Sequence, residues 1–595
     1  MLKRFFLNLL SSFVGAWLAL ILFGVAVAIM MIAAIGSMAV KTEQTPQVKS
    51  RSILKIELDG TIQEREMAIE PDFAELMQGN LDAPMTLDVL TAAIREAAEN
   101  DDIVALYLKC GSLSASTATL NAIRHEVEEF KKSGKKVLAY GDSYTQGCYY
   151  IASVADKIYM NPMGEINLQG LSSTGMYLKN LLDKLGVQFQ VVKVGTYKSA
   201  VEPYILENMS DPARAQMDTL LGNMWGFIRG EIAKSRKGLT AAKIDSLINK
   251  DFISFAPQKE AVKAGLVDSL VYERQFNERL AAISGREVEK LNFVGPKTLV
   301  SQSPWSDSYS SKKQIAVLYA CGEIADGNDN AINYETLVPL IVKLADNDKV
   351  KGMVLRVNSP GGSAFGSDQI GEALDYFQSK GKPLAVSMGD YAASGGYWIS
   401  ACADKIFADP LTITGSIGIF GLIPNFKGTL DKVGVNMATV STNPEANFPT
   451  GVAPMNETQL GVMQKYVERG YADFTSRVAK GRHMPVEKVR RIGEGRVWDA
   501  LKARQIGLVD SIAYLQNAIE WVAAKADVRK SYDVAAYPEF QPNFWTLMSM
   551  GGNTMEEIGK QMKAGNREPL YQMLLKRIND RKRIQARMPA VKVSL

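Results

Sequence analysis

The amino-acid sequence repeats itself, and this repeat limits the fold more than any other feature. The segment GCYYIASVADKIYMNP at Gly147–Pro162 returns as GGYWISACADKIFADP at Gly395–Pro410, which is 395 − 147 = 248 residues later. The shorter segment LDKLGV at Leu182–Val187 returns as LDKVGV at Leu430–Val435 with the same offset. Chance similarity does not keep one offset over such a distance, so the pattern indicates a duplicated domain.

Each copy alternates short apolar runs with helix-like segments, which predicts an α/β fold with mostly parallel strands joined by helices. The chain has 595 residues, too many for a single hydrophobic core. We therefore expect one repeat at residues 46–297 and another at 314–541, joined by a linker at 298–313 in a region rich in Ser and Pro. Residues 542–595 form a C-terminal tail that ends in basic, helix-like sequence, and we assign no chemistry to it.

The N-terminal region is apolar enough to cross a membrane. Phe13–Val40 is nearly unbroken apolar sequence, which is long enough for a transmembrane helix. Lys3 and Arg4 precede it and favour a cytoplasmic N-terminus, so everything after Lys41 would lie on the other side. A cleaved signal peptide is the competing interpretation, but this stretch is longer than the apolar region of such peptides. We predict an uncleaved anchor within residues 1–45.

Charge and cysteine content argue against several classes of function. The formal net charge of +4 is too close to balance for a nucleic-acid-binding protein of this size. The cysteines show neither CxxC pairs nor the spacing of metal ligands, so we expect buried apolar thiols and no metal or cofactor. These cysteines are Cys110, Cys148, Cys321 and Cys402.

The second copy contains a candidate nucleophile, Ser394, in the segment DYAASGGY. An apolar run at Pro383–Met388 predicts a strand before it, and Tyr397–Ala403 has the apolar spacing of a helix after it. A serine at such a junction exposes its hydroxyl beside free backbone N–H groups, and the glycines after it allow a substrate backbone to approach. The alternative is an ordinary glycine-rich turn. The first copy has Gln146 at the corresponding position, since 394 − 248 = 146.

A serine hydroxyl needs a base before it becomes a good nucleophile. His125 and His483 are the only histidines, and both lie in charged segments away from glycine-rich turns, so a Ser–His–Asp triad is not expected. Lys198 is the other candidate, although its amine must be desolvated to lower a pKa that is ordinarily about 10.4. The corresponding segment of the second copy, Ser441–Thr450, has no lysine. We therefore predict a composite site with one group from each copy.

The second copy also has a candidate oxyanion hole in LRVNSPGGS, residues 355–363. A strand that ends in two glycines leaves the N–H groups of Gly361 and Gly362 unobstructed, as stabilisation of a developing negative charge requires. The alternative is a tight turn. The corresponding segment of the first copy, KCGSLS at Lys109–Ser114, lacks the two glycines, which again favours chemistry in the second copy.

Four segments together resemble the long, duplicated form of the signal peptide peptidase A family. They are VGTYKSAVEPY at Val194–Tyr204, NSPGGS at Asn358–Ser363, GDYAASGGYWIS at Gly389–Ser400 and TITGSIGIFG at Thr412–Gly421. Members of this family are serine proteases with a Ser–Lys dyad on a ClpP/crotonase-like fold. The resemblance implies that Ser394 is the nucleophile, Lys198 the general base and Ser416 the residue that orients the lysine amine. It also implies that Gly361 and Gly395 supply oxyanion donors.

The same resemblance implies a membrane-anchored endopeptidase that degrades remnant signal peptides and other apolar peptides. Its catalytic domains would lie on the periplasmic side of the bacterial inner membrane, and it would form a homo-oligomer, a tetramer. Extended peptides commonly bind by adding a strand to a sheet. Two other hypotheses stay open: a crotonase-type acyl-CoA enzyme, which needs no lysine base, and an inactive anchored scaffold. Whether Lys198 reaches Ser394 of its own chain or of a neighbour is also open.

Overall fold

Two sheets carry the two copies of the repeat. The structure is a computed structural model. It describes residues 48–65, 85–301, 312–327, 332–443, 445–446, 448–529, 531–539 and 585–587, together with Gly15 and Trp17. Apart from those two N-terminal residues, all of these belong to one compact unit.

Strands and helices alternate through both copies, as the apolar pattern predicts. The described strands are β1 (Ser52–Gln63), β2 (Met85–Thr86), β3 (Ile103–Ser114), β4 (Lys136–Tyr144), β5 (Lys157–Ile166), β6 (Gln188–Val194), β7 (Ser269–Leu270), β8 (Phe293–Val294), β9 (Gln314–Cys321), β10 (Val350–Ser359), β11 (Gly361–Ser363), β12 (Leu384–Ala393), β13 (Lys405–Ala408), β14 (Ile413–Gly415), β15 (Ile419–Asn425), β16 (Val497–Asp499), β17 (Ser511–Ile512), β18 (Asp533–Tyr537) and β19 (Gln585–Arg587). The described helices are α1 (Leu87–Glu99), α2 (Thr117–Lys131), α3 (Gln146–Ala152), α4 (Lys179–Leu185), α5 (Glu202–Ile205), α6 (Asp211–Ser235), α7 (Ala241–Asn249), α8 (Gln258–Ala264), α9 (Glu273–Ser284), α10 (Pro296–Ser301), α11 (Tyr334–Asp346), α12 (Ala364–Ser379), α13 (Gly395–Ser400), α14 (Lys427–Lys432), α15 (Glu457–Gly481), α16 (Val486–Ile492), α17 (Ala500–Ile506) and α18 (Leu515–Lys525).

The two main sheets share a path of five strands in the same order, which confirms the duplication and the α/β class. In the first sheet the order is β2-β1-β3-β4-β5-β7, with β8 beside β1. In the second it is β16-β14-β12-β10-β9-β18, with β13 beside β12 and β17 beside β13. The path β1-β3-β4-β5-β7 therefore corresponds to β9-β10-β12-β13-β17, and every one of these neighbouring pairs is parallel. The domain boundaries at 297 and 314 stay predictions; α10 extends into the start of the predicted linker.

The central strands are buried on both faces because helices cover each sheet. β10 illustrates this, since Met353, Val354 and Leu355 are all fully buried and read as a continuous apolar run. The two copies also share core residues: Ala393 and Ile413 of the second copy pack into the core of the first. Burial of apolar surface therefore stabilises the contact between the copies as well as each copy.

A third, smaller sheet joins the copies beside the candidate site. All of β6 pairs antiparallel with β15, from Gln188 opposite Asn425 to Val194 opposite Ile419. The strand order of this sheet is β11-β19-β15-β6, so the tail strand β19 lies between β11 and β15. Lys198 follows β6 closely and Ser416 comes shortly before β15, so this pairing brings the lysine of the first copy to the second.

The predicted membrane anchor lies outside the described residues, apart from Gly15 and Trp17. Among the helices that the structure describes, none combines the length and the apolar character needed to span a membrane. All four cysteines are described and carry free thiols. Cys110 and Cys148 are buried, as expected, whereas Cys321 and Cys402 are only partly buried.

Candidate active site

Ser394, Lys198 and Ser416 meet where the two copies join. The distance from Lys198 Nζ to Ser394 Oγ is 2.8 Å, and Nζ lies 3.0 Å from Ser416 Oγ and 3.1 Å from the Ser416 carbonyl oxygen. All three side chains are fully buried, with 0% of each residue exposed. The structure thus brings together the lysine of the first copy and the two serines of the second within one chain.

The surroundings of Lys198 favour a neutral amine. Among the described residues, its hydrogen-bond partners are uncharged oxygens of Ser394 and Ser416 rather than carboxylates. Burial lowers the pKa of Lys198 well below its ordinary value. A neutral amine has two N–H donors and one lone pair, so it can donate to both Ser416 oxygens and accept from the Ser394 hydroxyl. The three oxygens around Nζ therefore match the hydrogen-bonding capacity of a neutral amine.

Both serines that contact Lys198 have a positive φ, which is uncommon for residues other than glycine. Ser394 joins β12 to α13 with φ 56° and ψ −118°, and its N–H donates to the Gly415 carbonyl at 2.8 Å. Ser416 has φ 51°. Such conformations cost on the order of 1–3 kcal/mol and are concentrated at functional sites. The sharp turn between β12 and α13 directs the Ser394 hydroxyl towards Lys198.

The predicted oxyanion residues lie next to this group, but they differ in how their N–H groups are used. The N–H of Gly361 donates to Ser359 Oγ at 3.2 Å. The Gly362 nitrogen lies beside the turn that contains Ser394: a Cβ placed on Gly395 would be only 3.2 Å from it. Gly362 must be glycine: it has φ 153°, and a Cβ there would lie 1.9 Å from the Ile324 carbonyl oxygen. The oxyanion roles of Gly361 and Gly395 stay predictions.

A loop that the sequence analysis missed holds the lysine in place. This GEGR loop (Gly493–Arg496) belongs to the second copy, and the carbonyl of its glutamate accepts the Tyr197 N–H at 2.9 Å. A Cβ at Gly495 would lie 2.7 Å from Lys198 Cβ. The carbonyl of its arginine accepts the Ser416 N–H at 2.7 Å. The loop therefore holds two backbone segments in place: the one that carries Lys198, and the one at Ser416, which the lysine amine contacts. Its one sequence signal, two nearby glycines, is common in ordinary turns.

A buried network of polar residues connects β12, the strand before Ser394, to the first copy. Asp390, on β12, accepts the Thr119 N–H at 2.9 Å and the Thr119 hydroxyl at 2.8 Å, both from the first turn of α2. Asn358 Nδ2 donates to Asp390 at 3.1 Å and to Glu64 at 3.0 Å, and Glu64 forms an ion pair with Arg356 at 2.9 Å. Burial raises the pKa of Asp390, and the nearby Glu64 carboxylate raises it further. This network orients β12, which ends at Ala393, immediately before Ser394.

The two histidines lie apart from this group. His125 is half-buried and stacks on Tyr514 with ring centroids 3.8 Å apart, and burial lowers its pKa. His483 is exposed. Among the described contacts, neither forms a hydrogen bond with Ser394. A structural role for His125 explains its position, because the stacking joins α2 of the first copy to the second copy.

Comparison with known proteins agrees with this geometry. The model of peptidase family S49 matches residues 129–287 and 376–529, which together are more than half of the chain. The chain belongs to peptidase family S49. The S49 chain is 34% identical over 513 residues to "Protease 4" of Haemophilus influenzae, covering 82% of each protein. It is 37% identical over 451 residues to "Protease 4" of Salmonella typhi, covering 74% of this chain and 72% of that protein.

A shorter relative matches part of this S49 chain. The "Putative signal peptide peptidase SppA" of Enterococcus faecium is 35% identical over 217 residues, which is 36% of this chain and 63% of the relative. Taken together, the matches identify a serine protease of family S49 in tandem duplicated form. This sets aside the acyl-CoA enzyme and the inactive scaffold.

One solved structure, a ClpP1 mutant from Listeria monocytogenes, matches 34% of this chain and 94% of its own. The sequence identity is 15% and the TM-score is 0.24. These values are too low to assign a shared fold, so the ClpP/crotonase-like part of the expected architecture stays a prediction.

Proposed function

We propose that this S49 protease cleaves peptide bonds with Ser394 as nucleophile and Lys198 as general base. The observation that carries the proposal is the 2.8 Å distance between Lys198 Nζ and Ser394 Oγ inside a fully buried site. A lysine amine is a base only when it is neutral, and burial without a carboxylate partner favours the neutral form. The lowered pKa of Lys198 supports this assignment.

The reaction then runs in two steps. Lys198 takes the Ser394 proton as Oγ attacks the substrate carbonyl carbon, and the carbonyl oxygen becomes negative beside the N–H of Gly395. We propose the N–H of Gly362 as the second donor in place of the predicted Gly361, because the Gly361 N–H already donates to Ser359 Oγ. The protonated lysine gives this proton to the leaving amine, which departs and leaves an ester on Ser394. Water loses a proton to Lys198, attacks the ester and releases the acid, after which the serine recovers its proton. Ser416 orients the amine throughout by accepting its hydrogen bonds.

The substrates that we propose are remnant signal peptides and other apolar peptides. A cavity of ≈ 690 Å³ adjoins the first residues after β11 and the first residue of β15. Its apolar lining includes Phe365 and Val462, which are 49% and 56% exposed, with Ile419 and Met463. Apolar side chains of an extended peptide could enter it. The predicted anchor within residues 1–45 would hold the enzyme at the periplasmic face of the bacterial inner membrane, beside such peptides.

The test is hydrolysis of a fluorogenic signal-peptide substrate by purified full-length protein in detergent. Ser394→Ala and Lys198→Ala are expected to lower kcat/KM by at least about 10³-fold, as for other nucleophile–base pairs. Ser379→Ala and Lys184→Ala, which lie outside the site, serve as matched controls with unchanged activity. Circular dichroism establishes that each variant is folded. Substantial hydrolysis by folded Ser394→Ala would overturn the mechanism.

We also propose that the protein forms a homo-oligomer by reusing a contact that it already makes within one chain. The offset of 248 residues relates β6 to residues 436–442, and it relates β15 to residues 171–177. β6 and β15 pair with each other, but neither corresponding segment forms a strand, and both are largely exposed. Val192 of β6 is 4% exposed, whereas its counterpart Val440 is 100% exposed.

The adjoining helices show the same difference. Gly186, after α4, lies so close to α14 that a Cβ there would be 2.4 Å from the Gly428 carbonyl carbon. At the counterpart Gly434, no described atom lies within 4 Å of the position of a Cβ. The second copy therefore exposes the surface whose counterpart is buried in the first copy. A neighbouring chain's 171–177 segment would cover it, giving a head-to-tail contact that can close into a ring. A tetramer is the ring size that we propose.

A further inference from the structure

Two of the four cysteines lie side by side in the core of the first copy. Cys110 is on β3 and Cys148 is near the start of α3, and the two residues are 5% and 0% exposed, respectively. Both belong to the same apolar cluster. Cys148 Sγ donates to the Leu58 carbonyl and to the Gly111 carbonyl, each at 3.4 Å. Because Leu58 is the register partner of Cys110 on β1, these contacts place the Cys148 thiol beside Cys110.

The two thiols also form a hydrogen bond with each other, which distinguishes them chemically. This bond lowers the pKa of Cys148. Burial raises the pKa of Cys110, and the contact with Cys148 raises it further. A thiolate is the form that attacks a disulfide, so Cys148 is the thiol of this pair that reacts first.

The second copy has glycine where the first copy has Cys148. The offset of 248 residues relates Cys148 to Gly396, which follows Ser394 closely. A Cβ at Gly396 would lie 2.7 Å from the Ser359 carbonyl oxygen at the end of β10, so the second copy has no room for a side chain there. The first copy has no serine nucleophile at this turn and accommodates a thiol against the end of β3 instead.

We propose that Cys110 and Cys148 are a disulfide pair, which the chain closes when it folds in the presence of a disulfide oxidant such as glutathione disulfide. Both thiols are free in the structure, which is the reduced state of this pair. Because both are buried in the folded protein, the exchange takes place before the core of the first copy closes.

The exchange runs through a mixed disulfide. The Cys148 thiolate attacks one sulfur of the oxidant, the S–S bond of the oxidant breaks, and the first thiol leaves with the proton that Cys148 has lost. Cys110 then attacks Cys148 Sγ, and its proton passes to the second departing thiolate. Two cysteine thiols are oxidised to one disulfide, and the oxidant is reduced to two thiols.

The bond would fasten β3 to α3 across the intervening α2 and β4. It closes a loop of 38 residues, since 148 − 110 = 38. Such a loop restricts the unfolded chain, so the oxidised protein is expected to melt about 5–10 °C above the reduced protein.

Disulfide mapping tests the pair directly. The full-length chain is synthesised in a cell-free system with detergent, with and without glutathione disulfide. The folded fraction is isolated by gel filtration, denatured and alkylated without reduction. With the oxidant, mass spectrometry should find one peptide pair that joins Cys110 to Cys148, while Cys321 and Cys402 are alkylated. Cys402→Ser is the matched control and should leave the pair intact. Any other state of Cys110 and Cys148 in the oxidised sample would overturn the proposal.

Thermal unfolding gives a second readout, and neither readout depends on hydrolysis. Protein made with the oxidant should show the higher melting temperature. Cys148→Ser keeps a donor for the Leu58 and Gly111 carbonyls but cannot form the bond, so its melting temperature should be the same with and without the oxidant. A shift in Cys148→Ser as large as in the unmodified protein would show that the stabilisation comes from elsewhere, and would contradict the assignment.

Discussion

A buried lysine whose described hydrogen-bond partners are only serine oxygens is costly to keep charged. Lys198 is fully buried beside Ser394 and Ser416, and burial alone lowers its pKa. An ion pair would have the opposite effect, because a carboxylate favours the protonated amine. The residues around Lys198 therefore favour a proton acceptor rather than a fixed positive charge.

The pH dependence of hydrolysis should report this amine. Because Lys198 is proposed to act when neutral and its pKa is lowered, kcat/KM is expected to rise with pH through one ionisation well below the ordinary value of about 10.4. The measurement is a pH–rate profile of kcat/KM, with Ser416→Ala expected to lower the rate without unfolding the protein. A histidine-like ionisation that disappears in His125→Ala or His483→Ala, with Lys198→Ala still active, would show that the base has been misassigned.

The position of the amine depends on a glycine in the other copy. Gly495 has φ 72°, and a Cβ there would lie 2.7 Å from Lys198 Cβ. Gly495→Ala is therefore expected to displace Lys198 and to lower kcat by at least about 10-fold, since small misplacements of catalytic groups are costly. Gly381→Ala is the matched control: Gly381 also has φ 72°, but no described atom lies within 4 Å of its Cβ position. Equal kcat values for the two variants would refute the positioning role.

At the scale of elements, the contact between α2 and the end of β13 contains a buried acid. Asp409 follows β13 and accepts a hydrogen bond from Asn121 Nδ2 at 2.8 Å, and burial raises the pKa of Asp409 to about 7. Between about pH 4 and pH 7 the folded protein holds this proton and the unfolded chain does not. The free energy of unfolding should therefore fall as pH rises through that window, and Asp409 should contribute no further change above it.

Chemical denaturation at pH 5 and pH 8 tests this expectation. The unmodified protein should lose stability between the two values, by up to a few kcal/mol from Asp409. Asp409→Asn should reduce that difference, whereas Asp218→Asn, at an exposed position on α6, should not. The slope that remains in Asp409→Asn is expected to have the same sign, because burial also raises the pKa of Asp390. An unchanged pH difference in Asp409→Asn would contradict the assignment.

The sequence predicts local elements of this protein better than contacts between distant ones. The strand before Ser394, the helix after it and the double glycine of β11 all have local signals, because apolar period and glycine content act over a few residues. The pairing of β6 with β15 has no such signal, since it depends on how two whole copies pack. The same reason explains why the GEGR loop was missed: its contact with Lys198 exists only after the copies join.

On the scale of the whole molecule, the two copies have divided the proposed reacting groups between them. The contact between Lys198 and Ser394 forms within one chain, across 196 residues of sequence. We therefore expect no recovery of hydrolysis when Ser394→Ala and Lys198→Ala chains are co-expressed and purified together. Recovery to a sizeable fraction of the unmodified activity would show that neighbouring chains share the dyad instead.

The proposed oligomer can be disrupted at one residue. Val440 is fully exposed in the single chain, and its counterpart Val192 is buried, so a charge at Val440 should block the contact between chains. Light scattering of the purified protein in detergent should give a multiple of 65.2 kDa, and Val440→Asp should reduce it. Met163→Asp, at another exposed apolar residue outside this surface, should leave the mass unchanged. A single-chain mass for the unmodified protein would contradict the proposal.

The order of synthesis gives the divided dyad a consequence for the cell. Lys198 leaves the ribosome 196 residues before Ser394, and the GEGR loop that positions the lysine follows about a hundred residues later still, since 493 − 394 = 99. In the proposed mechanism, a growing chain has a base without a nucleophile and then a dyad without its support. If the chain is exported as proposed, hydrolysis would begin only after most of it has crossed the membrane, which would spare the precursors that use the same route.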